Sequence, residues 1–348
     1  LFFANKPKDE EFYKGVFDNL ATYEPNLQTV VALIVSIKRS KMLRELSITS
    51  YEVAEGKASF DKLVPLLNGL KEEQSPLADQ IEFVNDDLDY LVNEAIAKPG
   101  LRWRLTTLNQ SLGSLRKGDF GFIFARPETG KTTFLASEVS FMLTQTEGNV
   151  VWINNEEGGN KVMLRVYQAF FGVTSEELFA NVPKYKKLFQ EATQGRFKLY
   201  DSAQVDRTTV EAICKKWKPA LLVIDQIDKI KGFDADRTDL QLGAIYIWAR
   251  EIAKEYCPTI GICQADGTGE NVRYLTMSNV ANAKTSKQAE ADWILGIGAI
   301  HDQGWETIRF LHISKNKLMG DVDTNSKLRH GKMEVLIQPD VARYKDMR

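Results

Sequence analysis

From residue 119 onward, short apolar runs alternate with stretches of helical period. Phe120–Phe124, Val150–Ile153, Phe197–Tyr200, Leu221–Ile224 and Thr259–Ile262 have the length and composition of buried strands. Helices are expected between them at 131–144, 160–170, 207–217 and 239–255. Strands that are apolar on both faces, separated by helices, predict an α/β domain whose mainly parallel sheet is covered on both sides. Ile308–Ile313 and Lys332–Ile337 add later strands, expected to run antiparallel at one side.

The first hundred residues follow a different pattern. Leu27, Val30, Val31, Ile34 and Ile37 fall at helical spacing, and no glycine or proline interrupts the stretch from Leu27 to Leu43. A second helix is expected over 59–70, capped by Ser59 and stopped by Gly69, with Pro65 shortening or kinking it. In 77–95, Leu77, Ile81, Val84, Leu88, Leu91 and Ala95 recur in steps of four and three. Asp79, Glu82, Asp86, Asp87 and Asp89 lie off that line. Such a narrow stripe suits either docking on a neighbouring subunit or burial within its own domain. Lys98-Pro99-Gly100 breaks the helix. The expected layout is a small all-helical domain over 1–75, a linker helix over 76–100 and an α/β domain over 101–348.

Composition narrows the class. With 348 residues, 43% hydrophobic and 26% charged, the chain is neither globally disordered nor collagen-like. Its net charge of −2 excludes a wholesale basic surface, so any nucleic-acid contact must come from local patches or from assembly. Residues 1–99 carry 11 basic and 17 acidic side chains, which leaves the remainder at +4. The cluster Lys38, Arg39, Lys41 and Arg44 reads as a solvated helix face before it reads as a nucleic-acid contact. Cys214, Cys257 and Cys263 form no C-x-x-C pair, and His301, His312 and His330 have no ligand-spaced partner. A reducing compartment is therefore expected, without a disulfide framework or zinc site. No signal peptide is visible, and a cytoplasmic location is expected.

The central chemical signal is Ala125-Arg126-Pro127-Glu128-Thr129-Gly130-Lys131-Thr132-Thr133, between an expected strand and an expected helix. A phosphate-binding loop needs that context, because backbone N–H groups and the helix N-terminus cradle phosphate oxygens. Lys131 would reach the β/γ-phosphates and the Thr132 hydroxyl would ligate Mg²⁺. Ala125 stands where such loops usually have a first glycine. Three further strand ends fit the same chemistry. Asp225 ends an apolar strand and suits a carboxylate that helps hold Mg²⁺. Glu156, with Glu157 beside it, follows the strand at 150–153 and suits an acid that polarises water for attack on a γ-phosphate. Gln264 ends the strand at 259–262 and suits a phosphate sensor that informs the following loop. Parallel strands present their C-terminal ends on one edge, so these groups converge.

This order of motifs resembles the motor domain of DnaB-type replicative helicases, a RecA-like hexameric family that includes phage-encoded members. The Ala-Arg-Pro opening is characteristic there, and the similarity runs from about Leu101 to Lys345. The resemblance implies a RecA-like P-loop NTPase fold, hydrolysis of ATP with Mg²⁺, a homo-oligomeric ring, commonly a hexamer, and single-stranded DNA as track. Primase or a helicase loader are the implied protein partners. No cysteine-rich zinc segment of a primase is present. Arg165, nine residues beyond Glu156, matches an arginine that follows the family's catalytic glutamate. The family also carries a late Lys-x-Arg pair that reaches the neighbouring subunit's γ-phosphate. Here the segment reads Lys315-Asn316-Lys317, so a lysine stands in the finger position, with Arg309 and Arg329 as substitutes. Met277 to Asp292 resembles the family's DNA-loop region. Lys231 after the Asp225 strand, and Arg273, Lys284 and Lys287 after the Gln264 strand, are candidate DNA contacts. A flexible solvated loop explains them equally well, and the resemblance favours Lys284. Tyr344 is a candidate for packing on the nucleotide base and Arg165 for lying beside the nucleotide, although residue type alone favours a core aromatic and a surface arginine. A recombinase filament protein would share every phosphate motif, and an ATP-binding loader or scaffold would share the loop.

Overall fold

The computed structural model describes residues 27–63, 65–67, 87–89, 91–92, 100–233, 237–282 and 284–347. The chain divides into two units, Leu1–Leu91 and Val92–Arg348. In the first, helix α1 (Leu27–Ala54) runs eleven residues beyond Leu43. Ile34 and Ile37, on its expected apolar stripe, are half or more exposed within the chain. Ser59 does act as a cap, accepting from the Asp61 N–H, but of a single 3-10 turn at Phe60–Lys62. Residues 63 and 65–67 are helical, and the expected stop at Gly69 lies outside the described residues. So do Leu77, Ile81, Val84 and Ala95. Of the acidic helix, Leu88, Asp89, Leu91 and Val92 are described and helical.

The second unit is built on a mainly parallel sheet. It contains α2 (Thr106–Ser111), β1 (Phe120–Ala125), α3 (Lys131–Met142), β2 (Asn149–Asn154), α4 (Gly159–Phe171), α5 (Ser175–Ala180) and α6 (Val182–Thr193). There follow β3 (Phe197–Asp201), α7 (Arg207–Trp217), β4 (Pro219–Ile224), α8 (Thr238–Glu255), β5 (Thr259–Gln264), α9 (Lys284–Glu290), β6 (Trp293–Gly298), β7 (Ile308–Asn316), β8 (Lys332–Gln338) and β9 (Arg343–Asp346). The strand order is β3-β2-β4-β5-β1-β6-β7-β8-β9. Pairing is parallel from β3 to β6 and antiparallel from β6 to β9. All five expected central strands and all four expected helices are present. Helices α2, α5, α6 and α9 and strands β6 and β9 are not among the expected elements.

The parallel strands are apolar on consecutive positions because each face has its own core. Ile123, Trp152, Val223 and Ile262 point into one, and Phe122, Ile153, Leu222 and Cys263 into the other. Gly121 marks a close crossing inside the sheet. A Cβ there would come within 2.2 Å of the Trp293 ring on the neighbouring strand β6. Among the described residues no helix is long and apolar enough to cross a membrane.

Candidate functional site

The strand order determines which groups can meet. β1 lies beside β5, and β4 separates β5 from β2, so the loops after β1, β5, β4 and β2 leave one edge of the sheet in that spatial order. The loop after β1 turns through Glu128 at φ 60° and Gly130 at φ 102°. A side chain at Gly130 would be strained by that φ and would also meet Ile337 Cδ1 at 2.7 Å and the Tyr344 hydroxyl at 2.9 Å. Helix α3 then starts at Lys131, and its first N–H groups have no intrahelical acceptor, which is the requirement for an anion cradle. Lys131 is 7% exposed, and its Nζ donates to the carbonyls of Ala125 (3.4 Å) and Arg126 (3.1 Å). Burial lowers its pKa, and Glu156 and Asp225 pull the other way.

Lys131, Thr132, Glu156, Glu157, Arg165 and Arg309 line one open cavity of about 450 Å³. The β2 end is held in place from below. Asn154 Nδ2 donates to Asp201 Oδ1 (2.6 Å) and to the Glu157 carbonyl (2.5 Å), and Gly159 N–H donates to Asp201 Oδ2 (2.8 Å). Gly159 has to be glycine for that last contact, since a Cβ would sit 2.7 Å from Asp201 Oδ2. The two glutamates then separate. Glu157 is ion-paired with Arg165, whereas Glu156 is exposed into the cavity. Arg165 thus stands in the cavity wall already holding a carboxylate.

Asp225 is 1% exposed, and its Oδ2 has no hydrogen-bond partner. Burial raises its carboxyl to about 7, reinforced by Glu156 and opposed by Lys131. A buried carboxylate oxygen left without a donor suits a hard divalent cation such as Mg²⁺, with the half-buried Thr132 hydroxyl on the cavity wall as the candidate second ligand. Gln264 is half-buried at the end of β5, in register with Ala125, and its carbonyl accepts from the Ala281 N–H (3.0 Å).

Tyr344 requires a correction. Its ring is 2% exposed and packs edge-on against Phe134 at 5.2 Å, while its hydroxyl donates to the Gly130 carbonyl (3.3 Å). It braces the phosphate loop from behind, and a buried ring cannot offer a face to a base. Arg309, expected only as a substitute finger, instead reaches its own chain's loop, donating from Nε to the Thr129 carbonyl at 2.7 Å. No local motif announces it, because strand β7 brings it across 180 residues. Arg329 is spent on the Leu318 carbonyl. Lys315 donates to the carbonyls of Gln288 and Ala289 at the end of α9, and burial lowers its pKa. Lys317 is exposed.

The four candidate DNA contacts do not share one fate. Lys231 is exposed and donates to Gln204 Oε1 (3.2 Å). Arg273 is exposed, its guanidinium lying 4.5 Å from the Trp305 ring centroid. The backbone of Lys284 starts α9, and its side chain lies outside the described residues. Lys287 cannot touch DNA. It is 0% exposed, with Nζ on Asp228 Oδ2 (2.6 Å) and the Ala281 carbonyl (2.8 Å), above the Tyr246 ring. The pattern misled because a lysine in a polar loop looks solvated until its carboxylate partner, 59 residues away, is known. Lys287→Ala would take its cation from Asp228, which is partly exposed and keeps the Tyr246 hydroxyl as a donor. A loss of about 3 kcal/mol in urea-unfolding stability, the low end for a broken buried pair, is therefore expected. The salt dependence of DNA affinity should not change with it, since no phosphate contact is lost.

A phosphate loop, an acid, a metal-suited aspartate and a polar sensor on adjacent ends of a mainly parallel sheet define a RecA-like ATPase fold. The comparisons agree with that class. A family profile described as an AAA domain matches residues 96–265. Among solved structures, one isolated ATPase domain aligns with a TM-score of 0.63 at 17% identity, covering 77% of this chain and 100% of that one. A DnaB-like replicative helicase, from a structure that also concerns its interactions with primase, aligns with a TM-score of 0.62 at 16% identity. That alignment covers 92% of this chain and 78% of the other. No curated protein matches by sequence. The resemblance seen in the motifs therefore extends to the fold, which is that of DnaB-type helicase motor domains.

Proposed function

We propose that the chain is an ATP-driven replicative DNA helicase that works as a homo-oligomeric ring, commonly a hexamer in this architecture, and translocates on single-stranded DNA. The observation that carries this reading is the cavity shared by Lys131, Thr132, Glu156, Arg165 and Arg309, with Asp225, whose Oδ2 has no hydrogen-bond partner, within electrostatic reach of Lys131 and Glu156. Lys131 and the α3 N-terminus hold the β/γ-phosphates, and Thr132 and Asp225 are the residues that would hold Mg²⁺. Bound there, Mg²⁺ supplies charge neutralisation on the phosphate oxygens. Glu156 orients a water and takes its proton as the water oxygen bonds to the γ-phosphorus. The bond to the β–γ bridging oxygen breaks, leaving ADP and phosphate. Gln264 passes phosphate occupancy to the 266–287 loop, and Lys231, Arg273 and Lys284 offer positive charge to the DNA backbone. An exposed acid at the cavity argues against a scaffold that binds ATP without turnover.

The test is ATPase rate with and without single-stranded DNA, together with unwinding of a forked duplex. Stimulation and unwinding are expected; hydrolysis without either would leave only the ATPase. Assembly has its own support. Leu88, Leu91 and Val92 are exposed, and an apolar groove lined by Leu164, Tyr167, Leu178, Phe179, Val182 and Tyr185 lies on α4–α6. If the 77–95 stripe docks on a neighbouring subunit, Leu88→Asp places an unpaired charge in the interface and is expected to dissociate the ring. Light scattering at matched concentration decides it, and an intact ring rejects the docking. Primase or a loader as a further partner rests on the family resemblance.

A further inference from the structure

The loop after β5 is one hydrogen-bonded unit. Asp266 caps the turn Gly267–Gly269 by accepting from the Thr268 N–H, and its own N–H donates to the Asn279 carbonyl (2.8 Å). Asn279 Nδ2 in turn donates to Thr268 Oγ1 (3.0 Å), and its Oδ1 accepts from the Thr276 N–H (2.9 Å). Leu275 and Val280 are buried beneath. A displacement at any edge of such a unit is carried to the rest of it.

One edge is tied to the phosphate loop. Arg126 Nε lies 2.8 Å from Glu270 Oε2, and Arg126 Nη1 donates to the Ala265 carbonyl (3.2 Å), the residue after Gln264. Glu270 Oε1 faces His301 Nε2 at 3.3 Å, which joins the β6–β7 connection to the same carboxylate. The guanidinium of Arg126 holds the Glu270 carboxyl below its usual range. The carbonyl of that same Arg126 accepts from Lys131 Nζ. Lys131 has three N–H bonds to give. Two are committed to the Ala125 and Arg126 carbonyls, so any beyond the third that turns to phosphate oxygens is withdrawn from them, and phosphate occupancy then acts on the peptide whose side chain grips Glu270.

The geometry points to Glu270 as a positioning residue, the receiving end of an Arg126–Glu270 strut that couples phosphate occupancy to the conformation of the 266–282 loop, in parallel with Gln264. This rests on the ATPase-motor reading for its link to DNA, but the coupling itself does not need DNA to be seen. Glu270 does not line the cavity and reaches the phosphate loop through the Arg126 side chain, so Glu270→Ala should keep the basal ATPase rate, with any shift in nucleotide affinity no larger than the coupling itself.

The experiment is backbone amide hydrogen exchange on the full chain, with and without ATPγS and Mg²⁺, for wild type, Glu270→Ala and Glu270→Gln. In wild type, nucleotide should slow exchange at 130–134 and alter it across 266–282. In Glu270→Ala the first effect should persist and the second disappear, with Glu270→Gln, which keeps an acceptor for Arg126, in between. DNA-stimulated kcat should fall by about fivefold in Glu270→Ala, the low end of ordinary coupling between sites and appropriate to a partly exposed ion pair. A 266–282 segment indifferent to nucleotide in wild type, or an unchanged response in Glu270→Ala, overturns the strut. If the exchange results hold but DNA stimulates no wild-type hydrolysis, the strut stands and the helicase reading falls.

Discussion

Glu156→Gln is expected to bind ATP with little change and to lose most hydrolysis, by about 10²–10⁴-fold, the usual cost of removing a general base. The neighbouring Glu157→Gln should lose far less. The two side chains differ in what they already do. Glu157 neutralises Arg165 across an ion pair, so its carboxylate is committed to a cation of its own chain. Glu156 is exposed into the cavity that also holds Lys131 and Thr132. A base must be within reach of the water and have a lone pair to spare, and Glu156 alone of the pair meets both conditions. Glutamine keeps the shape and removes the proton acceptor, so nucleotide affinity separates misfolding from loss of chemistry. Single-turnover hydrolysis with labelled ATP is the measurement. The reverse order of the two variants would mean that the β2 end delivers Glu157 to the water, and that Arg165 releases it when nucleotide binds.

What was legible in the sequence follows the range of the forces involved. The parallel strands were readable because burial on both faces leaves a local record, a run of apolar residues such as Leu221–Ile224. The phosphate loop was readable because its cradle, lysine and hydroxyl come from nine consecutive residues. Helix α5 is six residues with only Leu178 buried, too short to show a period, whereas α6 does carry a one-sided stripe in Tyr185, Phe189 and Thr193 that could have been read from the sequence. Residues whose roles depend on distant partners could not be assigned by pattern. Lys287 looked like a phosphate contact and is a buried ion pair with Asp228. Tyr344 looked like a base platform and is a brace behind Gly130. Arg309 has no motif at all, and arrives at the phosphate loop only because antiparallel β7 begins where parallel β6 ends.

Lys317→Ala is expected to abolish DNA-stimulated hydrolysis while nucleotide binding stays nearly intact. Trans-acting cations of this kind are worth about 10³–10⁵ in rate, because they meet charge that develops on the transferring phosphoryl group. The fold limits how Lys317 can act. Trp293, at the start of β6, pairs with both Gly121 at the start of β1 and Asn316 at the end of β7. Lys317 therefore leaves the sheet at the edge opposite its own phosphate loop, roughly 13 Å of strand away at about 3.3 Å per residue. Any γ-phosphate it serves belongs to another subunit. Lys315 is held on the carbonyls that end α9, and Arg309 and Arg329 are engaged within their own chain, so Lys317 is the member of this group left pointing outward. Two further results should follow. If the proposed ring forms and Lys317 completes a neighbour's site, titrating the alanine variant into wild-type protein should depress activity faster than the variant fraction rises. Lys317→Arg should retain or raise activity, since the guanidinium adds a two-pronged contact to the same charge. A strictly proportional loss on mixing, with the alanine variant still active, would remove Lys317 from the site and leave Arg309, which lines the cavity of its own subunit, as the next candidate.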